Sequence, residues 1–161
     1  MTTYEHIVCP PLALTLAWEE GEITTIGLAW AGDGQAAARP ESAAGRALAA
    51  SLARYLAGGG ADWPELPLAW ERMTPFRRKV METLARLPAG EVTTYGGLAR
   101  TVGRAGAARA VGRVMATNPW PLIVPCHRVV GTQGLTGFGP GLPMKRFLLE
   151  LEGVELPPER G

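Results

Sequence analysis

The feature that most constrains the fold is a change in the spacing of apolar residues partway along the 161-residue chain. Residues 12–18 and 23–30 have the pattern of strands, and they flank Glu19-Glu20-Gly21-Glu22, a polar connection with a turn glycine. This arrangement predicts a β-hairpin. From Thr74 onward the apolar spacing becomes that of helices. We therefore expect an α+β fold, with a small antiparallel sheet first and helices after it.

A boundary between two lobes is expected near Trp70. Residues 31–40 form a predicted loop rich in Gly and Ala, and residues 41–57 have helical spacing closed by a run of glycines. Three glycines and two prolines then fall between residues 58 and 67, which is typical of a connection. The predicted domains are an N-terminal α/β lobe of structural role over residues 1–70 and a mostly helical C-terminal domain over residues 71–161.

The second half contains the pattern of a helix-turn-helix. Thr74 and Pro75 are favourable residues for the start of a first helix. Thr94 precedes a predicted helix over residues 95–101, a glycine-containing turn covers residues 103–106, and a further helix covers residues 107–117. Two short helices around such a turn are characteristic of that DNA-binding motif.

The distribution of charge points to the same half. The net charge is only +1, but residues 1–70 hold 3 Arg and Lys against 8 Asp and Glu, whereas residues 71–161 hold 13 against 7. The second half is therefore the candidate for contact with an anion such as DNA.

The lack of long apolar runs and the small number of cysteines exclude several classes of protein and of site. No secretory leader pattern follows Met1, and no apolar run approaches the roughly 20 residues that span a bilayer, so we expect a cytoplasmic protein without membrane contact. Cys9 and Cys126 form no CxxC pair, and His6 and His127 are the only histidines. Neither a disulfide framework nor a metal cofactor is expected.

The most reactive segment is the pair Cys126-His127 inside an apolar run. A thiol with an ordinary pKa near roughly 8.5 needs a basic neighbour to become thiolate at neutral pH, and His127 can serve. Because adjacent side chains usually diverge, we expect a bridging water between the two. The histidine then needs an acceptor that fixes its tautomer, and Glu150 or Glu152 is available.

This segment resembles the O6-alkylguanine-DNA alkyltransferase family, also called methylated-DNA-protein-cysteine methyltransferases. The central Pro-Cys-His-Arg signature of that family stands here at residues 125–128. The resemblance spans about residues 74–154. Its other blocks are Gly90 to Gly96, Ala108 to Gly112, Asn118-Pro119, Leu135 to Phe138 and Lys145 to Gly153.

The resemblance implies a single-use DNA repair reaction. Cys126 would accept an alkyl group from the O6 atom of guanine, His127 would act as base through water, and Glu152 would orient the histidine. Tyr95 would meet the flipped base and donate a proton or hydrogen bond as guanine leaves. The product would be a thioether, so each molecule would act once as a methylated-DNA-protein-cysteine S-methyltransferase without a cofactor.

The resemblance also implies how DNA is bound. The partner would be double-stranded DNA containing O6-alkylguanine, approached from the minor groove. Arg109 would fill the gap left by the flipped nucleotide, since occupying the stack offsets part of the cost of extrusion. Asn118 would be the hinge between the recognition helix and the active segment. The other expected DNA contacts are Ala108, Ala110, Gly112, Thr94, Tyr95 and Arg128.

A lid over residues 131–141 would close on the flipped base. The carbonyls of Cys126 and Val129 would accept hydrogen bonds from its exocyclic amine, and the amide of Gly139 would lie near O6. The lid departs from many relatives, because Phe138 replaces Tyr, Pro140 replaces a residue with an amide donor, and the loop is about one residue shorter. The range of alkyl groups accepted is therefore left open.

Two other functions remain as alternatives. One is an alkyltransferase-like protein that binds O6-alkylguanine lesions and passes them to an excision-repair partner with little or no transfer, although such proteins lack the cysteine. The other is a cysteine hydrolase, which would need an oxyanion site and a remote histidine, and only His6 is available. We assign no role to Cys9 or His6 and expect a monomer.

Overall fold

A computed structural model of the chain describes residues 1–33 and 40–157. These residues form two compact units. The first holds Met1–Met73 together with Pro119–Ile123, and the second holds Thr74–Asn118 and the described residues from Val124 onward. None of the helices in the described part of the chain is long and apolar enough to cross a membrane.

The first unit is built on a three-stranded antiparallel sheet. Its strands, in spatial order, are β1 (Thr3–Cys9), β2 (Leu12–Glu19) and β3 (Glu22–Trp30). The predicted hairpin is confirmed as β2 and β3, which turn through Glu20 and Gly21, both at positive φ. That backbone matches the twist of a two-residue hairpin turn. β1 was not predicted from the sequence.

One helix covers this sheet. α1 (Ala43–Leu56) lies within the predicted range of 41–57 and begins where the Ser42 hydroxyl accepts a hydrogen bond from the Gly45 amide (2.8 Å). Ser42 is itself tied to β1, because its amide and its hydroxyl both donate to the Glu5 carboxylate at 2.7 Å. Most of the predicted loop over 31–40, residues 34–39, lies outside the described residues.

A short segment from later in the chain completes the first unit. The Ile26 amide donates to the carbonyl of Pro119 (2.7 Å), and Trp120 Nε1 donates to the carbonyl of Ile23 (3.2 Å). Trp120 is almost fully buried and contacts Trp70 edge to face. Pro119–Ile123 therefore packs with β3, although it lies within the range predicted for the second domain.

The second unit contains the remaining helices, which begin and end close to the predicted positions. Threonine side chains cap two of them: Thr74 accepts from the Arg77 amide (3.3 Å) and Thr94 from the Gly97 amide (2.9 Å). The turn after the second of these helices contains Gly103 and Gly106, both at positive φ. The helices are α2 (Pro75–Ala85), α3 (Tyr95–Thr101), α4 (Ala108–Ala116) and α5 (Leu142–Leu151).

A two-residue parallel strand pair links the start of α3 to the reactive segment. β4 (Thr93–Thr94) pairs with β5 (Val129–Val130), so that Thr93 lies opposite Val129. This pairing places the first residue of α3 beside the chain that leaves the Cys-His pair. The buried side chains of the second unit include Val80, Met81, Leu84, Leu98, Val111, Val129, Leu148 and Leu149.

Candidate active site

The loop that carries Cys126 is fixed by hydrogen bonds to its main chain. The predicted hinge residue, Asn118, donates from Nδ2 to the carbonyl of Val124 (2.9 Å), and the Cys126 amide donates to the same carbonyl (2.8 Å). Cys126 then begins a 3-10 turn that ends at Arg128. The thiol is thereby held in one place, with 7% of the residue exposed.

Glu152 is the carboxylate that contacts His127. Nε2 of His127 donates to Oε2 of Glu152 (2.7 Å), and both side chains are buried, with 0% and 1% exposed. Glu150, the other carboxylate that the sequence offered, instead pairs with Arg146 at the surface (2.8 Å). With the proton on Nε2, the neutral imidazole has an acceptor at Nδ1. This buried nitrogen bonds to none of the described residues.

Arg128 occupies the interior, which corrects the expectation that it contacts DNA. Nε of Arg128 donates to Glu152 Oε1 (2.7 Å), Nη2 donates to Oε2 (3.1 Å), and Nη1 donates to the carbonyl of Leu87 (2.5 Å). Only 5% of its side chain is exposed. A guanidinium buried to this extent is not presented to a phosphate at the surface. Arg128 instead contacts the carboxylate that contacts His127.

The electrostatics keep the resting pair uncharged. Burial lowers the pKa of His127, although the hydrogen bond and the charge of Glu152 act in the opposite direction. Burial also raises the pKa of the Cys126 thiol, against the smaller effects of a hydrogen bond from Asn118 and the positive charge of Lys145. Both shifts favour the uncharged forms, a thiol at Cys126 and a neutral imidazole at His127.

The lowered pKa of His127 gives an expected pH dependence of stability. In the unfolded chain this histidine titrates near 6.5, whereas the folded protein resists protonation until lower pH. The free energy of unfolding therefore has its full value above the pKa of the unfolded histidine. It decreases as the pH falls from there toward the pKa of the folded protein. Urea unfolding from about pH 8 to 5 should show wild type losing stability faster than His127→Gln. A difference between the two proteins that does not change with pH would contradict this assignment.

Cys126 opens onto a cavity of about 330 Å³. The predicted residues Phe138 and Gly139 line it together with the thiol, and the Phe138 ring lies 6.4 Å from the His127 ring. A larger depression of about 850 Å³ in the first unit is lined by neither cysteine, so size alone does not identify the site. The cavity lining consists of Tyr95, Gly112, Met115, Ala116, Cys126, Gly137, Phe138 and Gly139.

Two residues that the sequence analysis gave no role hold the loop over the cavity. Lys145, fully buried, donates from Nζ to the carbonyls of Val129 (2.7 Å) and Thr136 (3.0 Å). Burial lowers the pKa of Lys145 to about 8, and the nearby Cys126 acts in the opposite direction. The hydroxyls of Thr136 and Tyr95 are 2.7 Å apart. A lysine on the apolar side of α5 was the available signal for the first of these residues.

The two carbonyls expected to receive the base amine already have partners. The Val129 carbonyl accepts from Lys145, and the carbonyl of Cys126 accepts from the Val129 amide. Each carbonyl oxygen has two lone pairs, so each retains one acceptor position. The predicted contacts are therefore compatible with the observed hydrogen bonds.

The exposed side of α4 lies next to this cavity. Arg109 and Arg113 are exposed one turn apart, and Gly112 and Ala116 reach the cavity lining. A Cβ atom added at Gly112 would lie in ordinary van der Waals contact with the Tyr95 ring, 3.9 Å from its Cδ1 atom. Ala108 lies one turn before Gly112 on the same face. The helical spacing places Ala110 on the far side of the two arginines, away from the face that carries Gly112.

The remaining residues considered in the sequence either cap a helix or lie in the first unit. Thr94 uses its hydroxyl to cap α3. Cys9 is partly buried in β1, and His6 lies near the Thr15 hydroxyl at 3.2 Å, both in the first unit. Among residues 1–33 and 40–157, no group of three or more His, Cys, Asp or Glu side chains is placed to hold a metal ion.

Comparison with known proteins agrees with the resemblance seen in the sequence. The sequence model of one protein family, the 6-O-methylguanine DNA methyltransferase DNA-binding domain, matches residues 75–154. The methylated-DNA–protein-cysteine methyltransferase of Shigella flexneri is 46% identical over 110 residues, which span 68% of this chain and 64% of that protein. The aligned part is thus slightly less than two thirds of this curated relative.

Solved structures are similar over nearly the whole chain. The O6-methylguanine methyltransferase of Mycobacterium tuberculosis is 38% identical, with a TM-score of 0.74 over 94% of this chain and 93% of that one. The same bacterial protein in complex with DNA gives a TM-score of 0.75 at 38% identity, over 93% and 92% of the two chains. Fold and sequence agree, and the chain belongs to the O6-methylguanine-DNA methyltransferase family.

Proposed function

We propose that this protein repairs O6-alkylguanine in DNA by moving the alkyl group onto Sγ of its own Cys126. The observation that carries the proposal is a buried cysteine that opens onto a cavity and is followed by a histidine bound to a buried carboxylate. The relatives named methylated-DNA–protein-cysteine methyltransferase, and the related structure in complex with DNA, support the same activity.

The reaction begins with formation of the thiolate. Nδ1 of His127 takes the thiol proton of Cys126 through a bridging water, while Glu152 holds Nε2–H and so fixes the tautomer. The resulting ion pair is stabilised at both ends. The charge of Lys145 favours the thiolate, and the charge of Glu152 favours the imidazolium.

The thiolate then displaces guanine from the alkyl carbon. A carbon–sulfur bond forms as the bond from that carbon to O6 breaks, and the electron pair of the broken bond passes to the guanine. Tyr95, on the cavity wall, donates a hydrogen bond or proton to the leaving base. The thioether product is stable, so one molecule repairs one lesion.

DNA binding is assigned to α3, the following turn and α4 as a helix-turn-helix. Arg109 is exposed beside the cavity and fills the stack when the base is flipped. Small residues at Ala108 and Gly112 allow close approach to the minor groove, and Asn118 joins α4 to the active loop. Inside the cavity, the amide of Gly139 meets O6, Phe138 packs on the base, and the free acceptor positions of the Cys126 and Val129 carbonyls take its amine. We propose that the protein acts as a cytoplasmic monomer.

The direct test is the intact mass of the protein after incubation with a duplex that holds one O6-methylguanine. A gain of one methylene mass, located by peptide mapping on Cys126, would establish self-alkylation. Tight binding of the duplex with no gain in mass would instead assign the protein to lesion recognition followed by excision repair.

Replacing Arg109 with alanine should slow transfer by about tenfold or more, because extruding a base costs a few kcal/mol and the variant cannot fill the gap. Arg113→Ala, one turn along the same exposed face, is the matched control. It should weaken binding to normal and methylated duplexes equally. Single-turnover rates and binding to both duplexes separate the two variants, and equal behaviour would argue against a special role for Arg109.

A further inference from the structure

Thr136 makes contacts that no step described above requires. Its carbonyl accepts a hydrogen bond from the buried Lys145 ammonium (3.0 Å), and its hydroxyl lies 2.7 Å from that of Tyr95. Its methyl group packs against Gly131, where an added Cβ would meet Thr136 Cγ2 at 2.5 Å. The main-chain hydrogen bond and the methyl contact thus fix the position of the residue. The hydroxyl is left to hydrogen-bond with Tyr95.

The contact between the two hydroxyls determines where the single proton of the Tyr95 phenol points. A tyrosine O–H donates one hydrogen bond, so a proton given to the loop is not available to a base. A threonine hydroxyl can donate as well as accept. If Thr136 donates to Oη of Tyr95, the phenol proton remains free to point into the cavity, and negative charge that develops on Oη is stabilised.

We propose that Thr136 is a positioning residue for Tyr95: its hydroxyl donates to Oη and directs the phenol proton toward the leaving guanine. This inference rests on the proposed alkyl transfer. Lys145 sets the position of Thr136 by holding the carbonyl of that residue and the carbonyl of Val129 at the same time. The tyrosine on α3 and the loop over the cavity are therefore aligned through one hydroxyl.

Three variants separate the hydroxyl from the rest of the side chain. Thr136→Val keeps the methyl group against Gly131 and the carbonyl on Lys145 but has no hydroxyl. Thr136→Ser keeps the hydroxyl and loses the methyl. Thr83→Val is the matched control, because it removes a threonine hydroxyl in α2 that donates to the carbonyl of Lys79 in the same helix (2.7 Å), away from the cavity lining.

The measurement is the single-turnover rate of methyl transfer over a range of concentrations of a duplex with one O6-methylguanine, with thermal unfolding recorded for each variant. Thr136→Val should lower the maximum rate roughly threefold to tenfold, as expected for one lost hydrogen bond, without changing the half-saturating DNA concentration. Thr136→Ser and Thr83→Val should stay near wild type. In a Tyr95→Phe background, Thr136→Val should have no further effect.

Other outcomes would overturn the inference. A wild-type rate for Thr136→Val, or an equal loss in the presence and absence of the Tyr95 hydroxyl, would show that Thr136 does not act through the tyrosine. A loss for Thr136→Ser together with a wild-type rate for Thr136→Val would assign the effect to packing on Gly131. Failure of the wild-type protein to take up the methyl group would overturn both the proposed function and this inference, whereas the preceding outcomes affect the inference alone.

Discussion

A Cys126→Ala protein is expected to gain no mass on incubation with an O6-methylguanine duplex, whereas a Cys9→Ala protein should gain one methyl group as the wild type does. The reason is that Cys126 alone of the two cysteines lines the cavity next to Tyr95, and it is followed by His127, whose Nε2 is held by Glu152. Cys9 lies in β1 of the first unit. Intact mass spectrometry of the three proteins under identical conditions is the measurement.

Binding should survive the loss of the thiol. Removing the sulfur enlarges the cavity and leaves Arg109, Gly112 and the loop over the cavity unchanged, so Cys126→Ala should bind the lesion duplex about as tightly as wild type. Gel mobility or anisotropy with matched normal and methylated duplexes would measure this. A methyl group appearing on the Cys126→Ala protein, or on Cys9 of the wild type, would contradict the assignment of the acceptor.

Local sequence chemistry sufficed to predict most of the helices. Thr74 and Thr94 are N-caps in the structure as expected, and α3 has the predicted limits. A capping hydroxyl within three residues of its amide partner is a short-range interaction, and it is visible in the sequence. The pairing of His127 with a carboxylate near the end of α5 was also expected: the residues alone left Glu150 and Glu152 open, the resemblance implied Glu152, and Glu152 is the one that His127 contacts.

Long-range contacts could not be predicted from the sequence. Arg128 was expected to contact DNA, but in the structure it lies at the end of the 3-10 turn and binds Glu152, 24 residues later. The parallel pairing of β4 with β5 involves two residues from each strand and leaves no periodic pattern. Thr136 and Lys145 similarly gain their roles only when the loop folds back toward Tyr95. In each case the deciding contact joins residues that the chain brings together through its tertiary structure.

Glu152→Gln is expected to lower the rate of methyl transfer by about 100-fold and the free energy of unfolding by about 3 kcal/mol. Glu152 accepts hydrogen bonds from His127 and Arg128 and has 1% of its side chain exposed, so solvent does not screen it. Removing the charge of one partner leaves the other buried without compensation, which is the costly case for ion pairs. A glutamine also offers an N–H to the imidazole, which favours the wrong tautomer for proton removal from Cys126.

The neighbouring carboxylate supplies the control for this variant. Glu150 forms an exposed pair with Arg146, with 53% of the Glu150 side chain accessible, so Glu150→Gln should change stability by less than about 0.5 kcal/mol and leave transfer unaffected. Rates must be compared at a temperature where both variants are folded, as shown by circular dichroism. A folded Glu152→Gln protein that transfers methyl at the wild-type rate would mean that His127 needs no carboxylate. Loss of stability alone would then reduce the role of Glu152 to that of a counterion for Arg128.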